Sequence, residues 1–224
     1  LFHLESFPVT PLIIDIWADL ACPWCYIGER RLTRALRSRP ALRVIRRWRP
    51  FQLQPDLPPE GLPWEEFVET KFGGATRAEP MLRHVEGVGA AEGIPFHFNR
   101  MRRAPHTGDA HRLILLAAEE GREWEMVDSL FAAHFTHGAN LSLRRDLVAA
   151  AAAAGIDRES VATLFQGDRL ADEVAESLGA ARELGIQGVP FFVFGERYAV
   201  SGAQPHELLL EAMEATLREA SLYG

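Results

Sequence analysis

Both cysteines of this 224-residue chain fall in one short motif, Cys22-Pro23-Trp24-Cys25, placed where one hydrophobic period gives way to another. Upstream, Leu12 to Trp17 is rich in β-branched and aromatic residues and predicts a buried strand. From Pro23 onward the apolar residues Ile27, Leu32, Ala35 and Leu36 recur at helical spacing, with Arg30, Arg34 and Arg37 on the other side. The pair therefore sits on a strand-to-helix turn. Pro23 suits a first helical position, where a missing N–H costs nothing.

A helix start gathers unpaired N–H groups and the positive end of the macrodipole. A thiolate at Cys22 is stabilised there, and in Cys-x-x-Cys sites such a thiol falls from about 8.5 to about 3.5–7.5. Cys25, one turn further in, stays a thiol. The expected pair is asymmetric, with a nucleophile and a resolving partner. Two other uses of the spacing compete. It matches half of a zinc site, but no second cysteine pair exists to complete the tetrahedron. A structural disulfide closing so short a loop would constrain the unfolded chain very little.

The chain has 47% hydrophobic residues, ample for a core, and no apolar run long enough to span a bilayer. Its first ten residues, Leu1 to Thr10, predict a loose lead-in without the regions of a signal peptide. It begins at Leu1 without Met, which leaves room for a removed leader. The lack of further cysteines favours a reducing compartment, so the expected location is cytoplasmic. A net charge of −7 argues against nucleic-acid or anionic-membrane partners. That charge is uneven, because nine Arg face one Glu between Glu29 and Arg49. Such a block either supports a thiolate and acidic partners or forms a solvated helix face followed by strand edges. Lys71 is the only lysine, a bias to which sequence attaches no mechanism.

After Pro40, Leu42 to Arg49 predicts a second strand, parallel to the first, which puts the motif at the first strand's carboxyl end. Pro-rich residues 51–63 leave the sheet, and helical patterns follow over 64–72, 78–92, 109–120, 124–135, 143–154, 158–165 and 170–184. Phe96-His97-Phe98 predicts a short extended piece. His134 and His137 lie one turn apart, and a helix-end role suits them better than a shared metal. Phe191 to Phe194 and Arg197 to Ser201 predict a hairpin around Gly195-Glu196, and Pro205 to Leu217 a last amphipathic helix. Pro190, directly before a strand, is either cis or an ordinary strand start. The backbone of Val189 there would be open to pairing with an extended peptide. Asp15, on the first strand, would take the proton of Cys25 if buried, and would otherwise be solvated at a strand edge.

These features together resemble the DsbA-like branch of the thioredoxin superfamily, and within it the FrnE-type oxidoreductases. The residues are Cys22-Pro23-Trp24-Cys25, Gly188 to Phe191, Val200 to Pro205, Trp48 to Leu53 and Ala110 to Ile114. The resemblance implies an α/β thioredoxin-like fold interrupted by a large α-helical insertion. The expected division is 1–55 and 186–224 against 56–185, with the last helix of the insertion, about 170–185, returning to the first part. It also implies a cis Pro190 against the disulfide, Cys22 as attacking thiolate, Cys25 as resolving thiol and Val189 touching the bound substrate. His111 matches a position facing the motif. Relatives usually carry Asn-Thr where this chain has His106-Thr107, which leaves open what the helical face binds.

The expected function is disulfide exchange with protein, peptide or small-thiol substrates, with no cofactor or metal, glutathione as an available redox partner, and a monomeric chain. Two alternatives stand beside it. One is a glutathione-dependent isomerase or transferase resembling 2-hydroxychromene-2-carboxylate isomerase, whose relatives place Ser at the position of Cys22. The other is a non-catalytic peptide binder.

Overall fold

A computed structural model describes residues 11–223, with side chains to residue 220; the lead-in expected over Leu1 to Thr10 lies outside them. Strand β1 (Leu12–Ala18) leads into α1 (Pro23–Arg37), and β2 (Val44–Pro50) returns beside β1. The two strands run parallel, from Leu12 opposite Val44 to Ala18 opposite Pro50. A short pair, β3 (Leu62–Pro63) and β4 (Arg103–Ala104), brackets α2 (Trp64–Phe72) and α3 (Ala75–Ala91). Then come α4 (Gly108–Glu119), α5 (Glu123–Phe131), α6 (Arg144–Ala153), α7 (Arg158–Leu164) and α8 (Ala171–Glu183). The hairpin β5 (Phe191–Phe194) and β6 (Tyr198–Ser201) and the helix α9 (His206–Tyr223) close the order.

The sheet order is β2-β1-β5-β6, with β5 antiparallel to β1. Strand alternation divides its faces. Ile14, Ile16, Phe192 and Phe194 join Leu32 and Ala35 of α1 and Leu209 and Met213 of α9 in the main core. Trp17 points the other way and packs with Ala181 of α8 and Ile186. Helices therefore cover both faces. On the outer edge of β2, the amide of Trp48 donates to the Glu123 carboxylate at 2.9 Å. The Gly195-Glu196 turn has positive φ at both residues, 56° and 58°, as a tight hairpin of this twist requires.

Two local expectations are corrected. The helix expected over 124–135 stops at Phe131 and widens into a π turn, Ala132–Thr136. There the carbonyl of Phe135 accepts the amide of His97, and the amide of His137 reaches back to Ala132. Phe96-His97-Phe98 forms no strand, and Phe98–Arg100 is a 3-10 turn. The two rings stack at 5.3 Å, each edge-on to Phe135, so aromatic packing rather than a ladder fixes this segment.

The basic block is partly the solvated face that the sequence allows, with Arg34, Arg37, Arg39 and Arg43 exposed, but six of its arginines are paired. Arg30 pairs with Asp128, Arg31 and Arg34 with Glu92, Arg39 with Glu214, Arg46 with Glu29 and Arg49 with Asp15. These pairs tie α1 to the end of α3 and to α5, the turn after α1 to α9, and β2 to α1 and β1.

Candidate active site

The turn after β1 is built by Asp19. Its Oδ1 accepts the amide of Ala21 at 3.2 Å, and its carbonyl accepts the amide of Cys22 at 3.1 Å. Cys22 then occupies the N-cap of α1 in extended conformation, with Pro23 as the first helical residue. The helix start has no capping side chain and no acidic residue in its first turn. The positive end of α1 is left to the Cys22 thiol.

Cys22 and Cys25 are free thiols, both buried. Sγ of Cys22 donates to the carbonyl of Val189 at 3.6 Å. The Val189–Pro190 peptide is cis. The Pro190 ring lies against α1 at Gly28, where a Cβ would come within 2.8 Å of Cγ of Pro190. Gly28 is thus the residue that lets the motif helix and Pro190 approach.

Cys25 is more enclosed. The amide of Asp19 donates to its Sγ at 3.5 Å. Burial pushes the Cys25 thiol well above the usual range, its hydrogen bond to Cys22 and the Cys22 charge add to this, and so does the Asp19 carboxylate. Only the Asp19 amide pulls the other way.

Asp19 is itself buried and heavily bonded. Oδ2 accepts the amide of Leu53 at 2.8 Å, and Oδ1 lies 3.5 Å from Nε2 of His111. Burial alone would raise this carboxyl, but His111, the Leu53 amide and Thr107 outweigh it and hold Asp19 below the usual carboxylate range. His111 is fully buried, and its Nδ1 accepts the indole N–H of Trp48 at 3.1 Å. Indole can only donate, so the His111 proton sits on Nε2 and points to the Phe51 carbonyl, 3.0 Å away, and to Asp19. His111 thus reaches the motif through Asp19, not by touching a thiol.

Asp15 is not the carboxylate beside Cys25. It is buried, but it accepts Nε of Arg49 at 2.7 Å and shares the Trp17 face of β1, while Cys25 belongs to the core on the Ile14 and Ile16 face. That place belongs to Asp19. The signal for it was present in sequence, a residue able to make an Asx-type turn at the strand's end.

Trp24 is half-buried, its ring 5.9 Å from that of His84, and with Pro23 it borders an apolar cavity next to Cys22. His134 lies on the same cavity. Among the described residues, no group of three His, Cys, Asp or Glu could hold a metal ion, and no helix is long and apolar enough to cross a membrane.

Comparison with known proteins agrees with this geometry. The family model for the DSBA-like thioredoxin domain matches residues 13–214. A crystal structure described as a probable DsbA oxidoreductase from Streptomyces coelicolor is 33% identical, with a TM-score of 0.86 over 93% of this chain and 91% of that one. A 2-hydroxychromene-2-carboxylate isomerase has a similar fold at 18% identity, with a TM-score of 0.70 over 95% of this chain and 99% of that one. The cytosolic disulfide reductase DsbM from Pseudomonas aeruginosa, solved with GSH, is also 18% identical, with a TM-score of 0.59 over 95% and 100%. Among curated proteins none matches the chain.

Proposed function

Because the chain belongs to the DSBA-like thioredoxin domain family, a family of thiol-disulfide oxidoreductases, we propose that it exchanges disulfides with protein, peptide or small-thiol substrates through Cys22 and Cys25. The observation that carries this reading is the placing of the pair: Cys22 at the helix start against the Val189 carbonyl, Cys25 enclosed behind it.

In the oxidising direction a substrate thiolate attacks Sγ of Cys22, the Cys22–Cys25 bond breaks, and Cys25 leaves and takes up a proton. A second substrate thiolate then attacks the substrate sulfur of the mixed disulfide and expels Cys22. Two substrate thiols become one disulfide as the protein disulfide becomes a dithiol. In the reducing direction Cys22 attacks a substrate disulfide, and Cys25 gives up its proton and resolves the adduct. Pro23 and Trp24 shape the approach to Cys22, Pro190 packs behind the pair, and Val189 offers backbone groups to an extended substrate. Asp19 and His111 set the surroundings of Cys25. In this reading the protein is FrnE-type, works in the cytoplasm as a monomer without a resident cofactor, and carries its helical insertion over residues 56–185.

A glutathione-dependent isomerase or transferase is the second reading. It is favoured by the likeness to the 2-hydroxychromene-2-carboxylate isomerase and to DsbM solved with GSH. Equilibration against graded glutathione buffers, with alkylation and mass counting of free thiols, separates the two. One transition from no trapped thiol to two supports the dithiol couple. A stable glutathione adduct on Cys22 with Cys25 still free overturns it.

A further inference from the structure

Two large hydrophobic side chains that the surface leaves exposed, Leu53 at 37% and Met81 at 54%, border one cavity, and the same cavity reaches Cys22. It measures about 240 Å³, and its walls are largely aliphatic. Polar groups are scarce in it. His134 offers none, because its Nδ1 is bonded to the Ala139 carbonyl at 3.0 Å and its Nε2 is buried out of reach. Apart from Cys22 that leaves Gln54 and Lys71, the second of them exposed. Lys71 is the chain's only lysine. Trp64, Phe67 and Lys71 fall at positions i, i+3 and i+7 of α2, so the lysine stem continues the apolar stripe along the cavity while its ammonium stays in water. No carboxylate among the described residues pairs with that ammonium. Its seat in the last turn of α2 suits the helix dipole, as any cation there would. An unpaired cation on an apolar cavity that also holds a reactive thiol calls for more.

The shape of the occupant follows. Pockets for whole ligands usually run to about 300–1,000 Å³, so this one takes a slender group. A peptide backbone inside it would leave N–H and C=O groups without partners, at a cost for each. Neither Val189 nor Pro190 lines the cavity, so an extended chain paired at Val189 runs elsewhere. What fits has sulfur at one end, an anion at the other and only hydrocarbon between. Resting on the dithiol reading, we propose that the cavity is a substrate site for small aliphatic thiol carboxylates, whose chain lies along the apolar walls while the carboxylate meets Lys71 and the sulfur meets Cys22. The thiolate of such a molecule attacks Sγ of Cys22, the bond to Cys25 breaks, and Cys25 leaves and takes up a proton. A second thiolate of the same class attacks the substrate sulfur and expels Cys22. Two thiols become one disulfide as the protein disulfide becomes a dithiol.

The test compares ω-mercaptooctanoate with ω-mercaptopropionate, which shortens the chain, and with ω-mercaptooctanol, which removes the charge. Attack on the oxidised protein is read by acid quenching and alkylating the released Cys25 thiol, and each rate is divided by that with a small free disulfide so that intrinsic thiol reactivity cancels. A fully buried methylene is worth about fourfold, so the octanoate should outpace the propionate by at least about tenfold. An exposed charge pair is worth about threefold at low salt, which is the expected lead of the octanoate over the octanol. Lys71→Gln should erase that second lead, and Lys71→Arg should keep it. Equal rates for long and short chains, equal rates for octanoate and octanol, or a charge lead that survives Lys71→Gln overturns the proposal, and the first two comparisons need no variant. A Cys-Leu dipeptide that outpaces ω-mercaptooctanoate assigns the cavity to peptide side chains and overturns it too. Octanoate, which carries no sulfur, should bind the reduced protein in calorimetry and bind more weakly to Lys71→Gln. Octanoate binding with no thiol able to release Cys25 would sink the redox reading alone, whereas release by every thiol regardless of chain and charge would sink the cavity proposal alone.

Discussion

Sγ of Cys22 faces the carbonyl of Val189 at 3.6 Å, although the two residues are 167 positions apart in sequence. The contact puts the first cysteine against backbone and leaves the second behind it. Cys22→Ser should therefore abolish exchange. Cys25→Ser should still allow the first attack and accumulate a mixed disulfide on Cys22, seen as the substrate's added mass. Equal turnover by both variants would contradict the assigned order.

Gly28→Ala tests the approach of α1 to Pro190. The new methyl would sit 2.8 Å from Cγ of Pro190 and 3.2 Å from Cζ of Phe192. Overpacking costs about 1–3 kcal/mol, while a helical Gly→Ala change returns up to about 1 kcal/mol. Stability should fall by no more than about 3 kcal/mol in urea titration, and exchange with a model disulfide should slow more than that loss of folded protein explains.

Asp19→Asn removes the charge beside Cys25. In a Cys22→Ser background, where Cys25 is the only thiol, its titration followed by thiolate absorbance should move downward, because the carboxylate adds to the raised value. The full dithiol protein carrying Asp19→Asn should resolve its mixed disulfide faster in the reducing direction. Weakening the bonds to Leu53 and His111 should cost about 1–3 kcal/mol of stability. An unmoved or rising Cys25 titration would remove Asp19 from this role.

His134 makes a pH prediction. Its folded-state value is depressed below the ordinary 6.5. The stabilisation is complete above about 6.5 and is lost as pH falls through the depressed folded value, because in that window the unfolded chain binds a proton the folded chain refuses. The slope from this one group is at most about 1.4 kcal/mol per pH unit. Urea midpoints of the native protein between pH 7 and 5 should fall more steeply than those of His134→Gln.

The local parts of this structure were legible because local pattern decides them. β-branched and aromatic residues mark β1, the Gly195-Glu196 turn marks the hairpin, and the change of period at Pro23 marks the start of α1. The buried polar set was not legible. Nothing in the sequence near Asp19 announces His111, which meets it with Trp48 bonded behind only when β2 and α4 close over the turn. For the same reason the sequence points to Asp15, on the strand itself, for the place beside Cys25 that the fold gives to Asp19. The π turn is not legible because no local pattern marks it, and the His97 amide that meets the Phe135 carbonyl there comes from a distant segment. Six of the nine arginines between Glu29 and Arg49 have acids that only the fold brings to them, on β1, α1, α5 and α9 and at the end of α3.

The Glu123 carboxylate on the Trp48 amide has a consequence for life in a crowded cell. An uncapped outer strand is a template on which other chains stack edge to edge. Here a side chain from α5 already occupies one of the hydrogen-bonding positions along β2. The plug keeps a neighbouring strand from adding at that position on this side of the sheet.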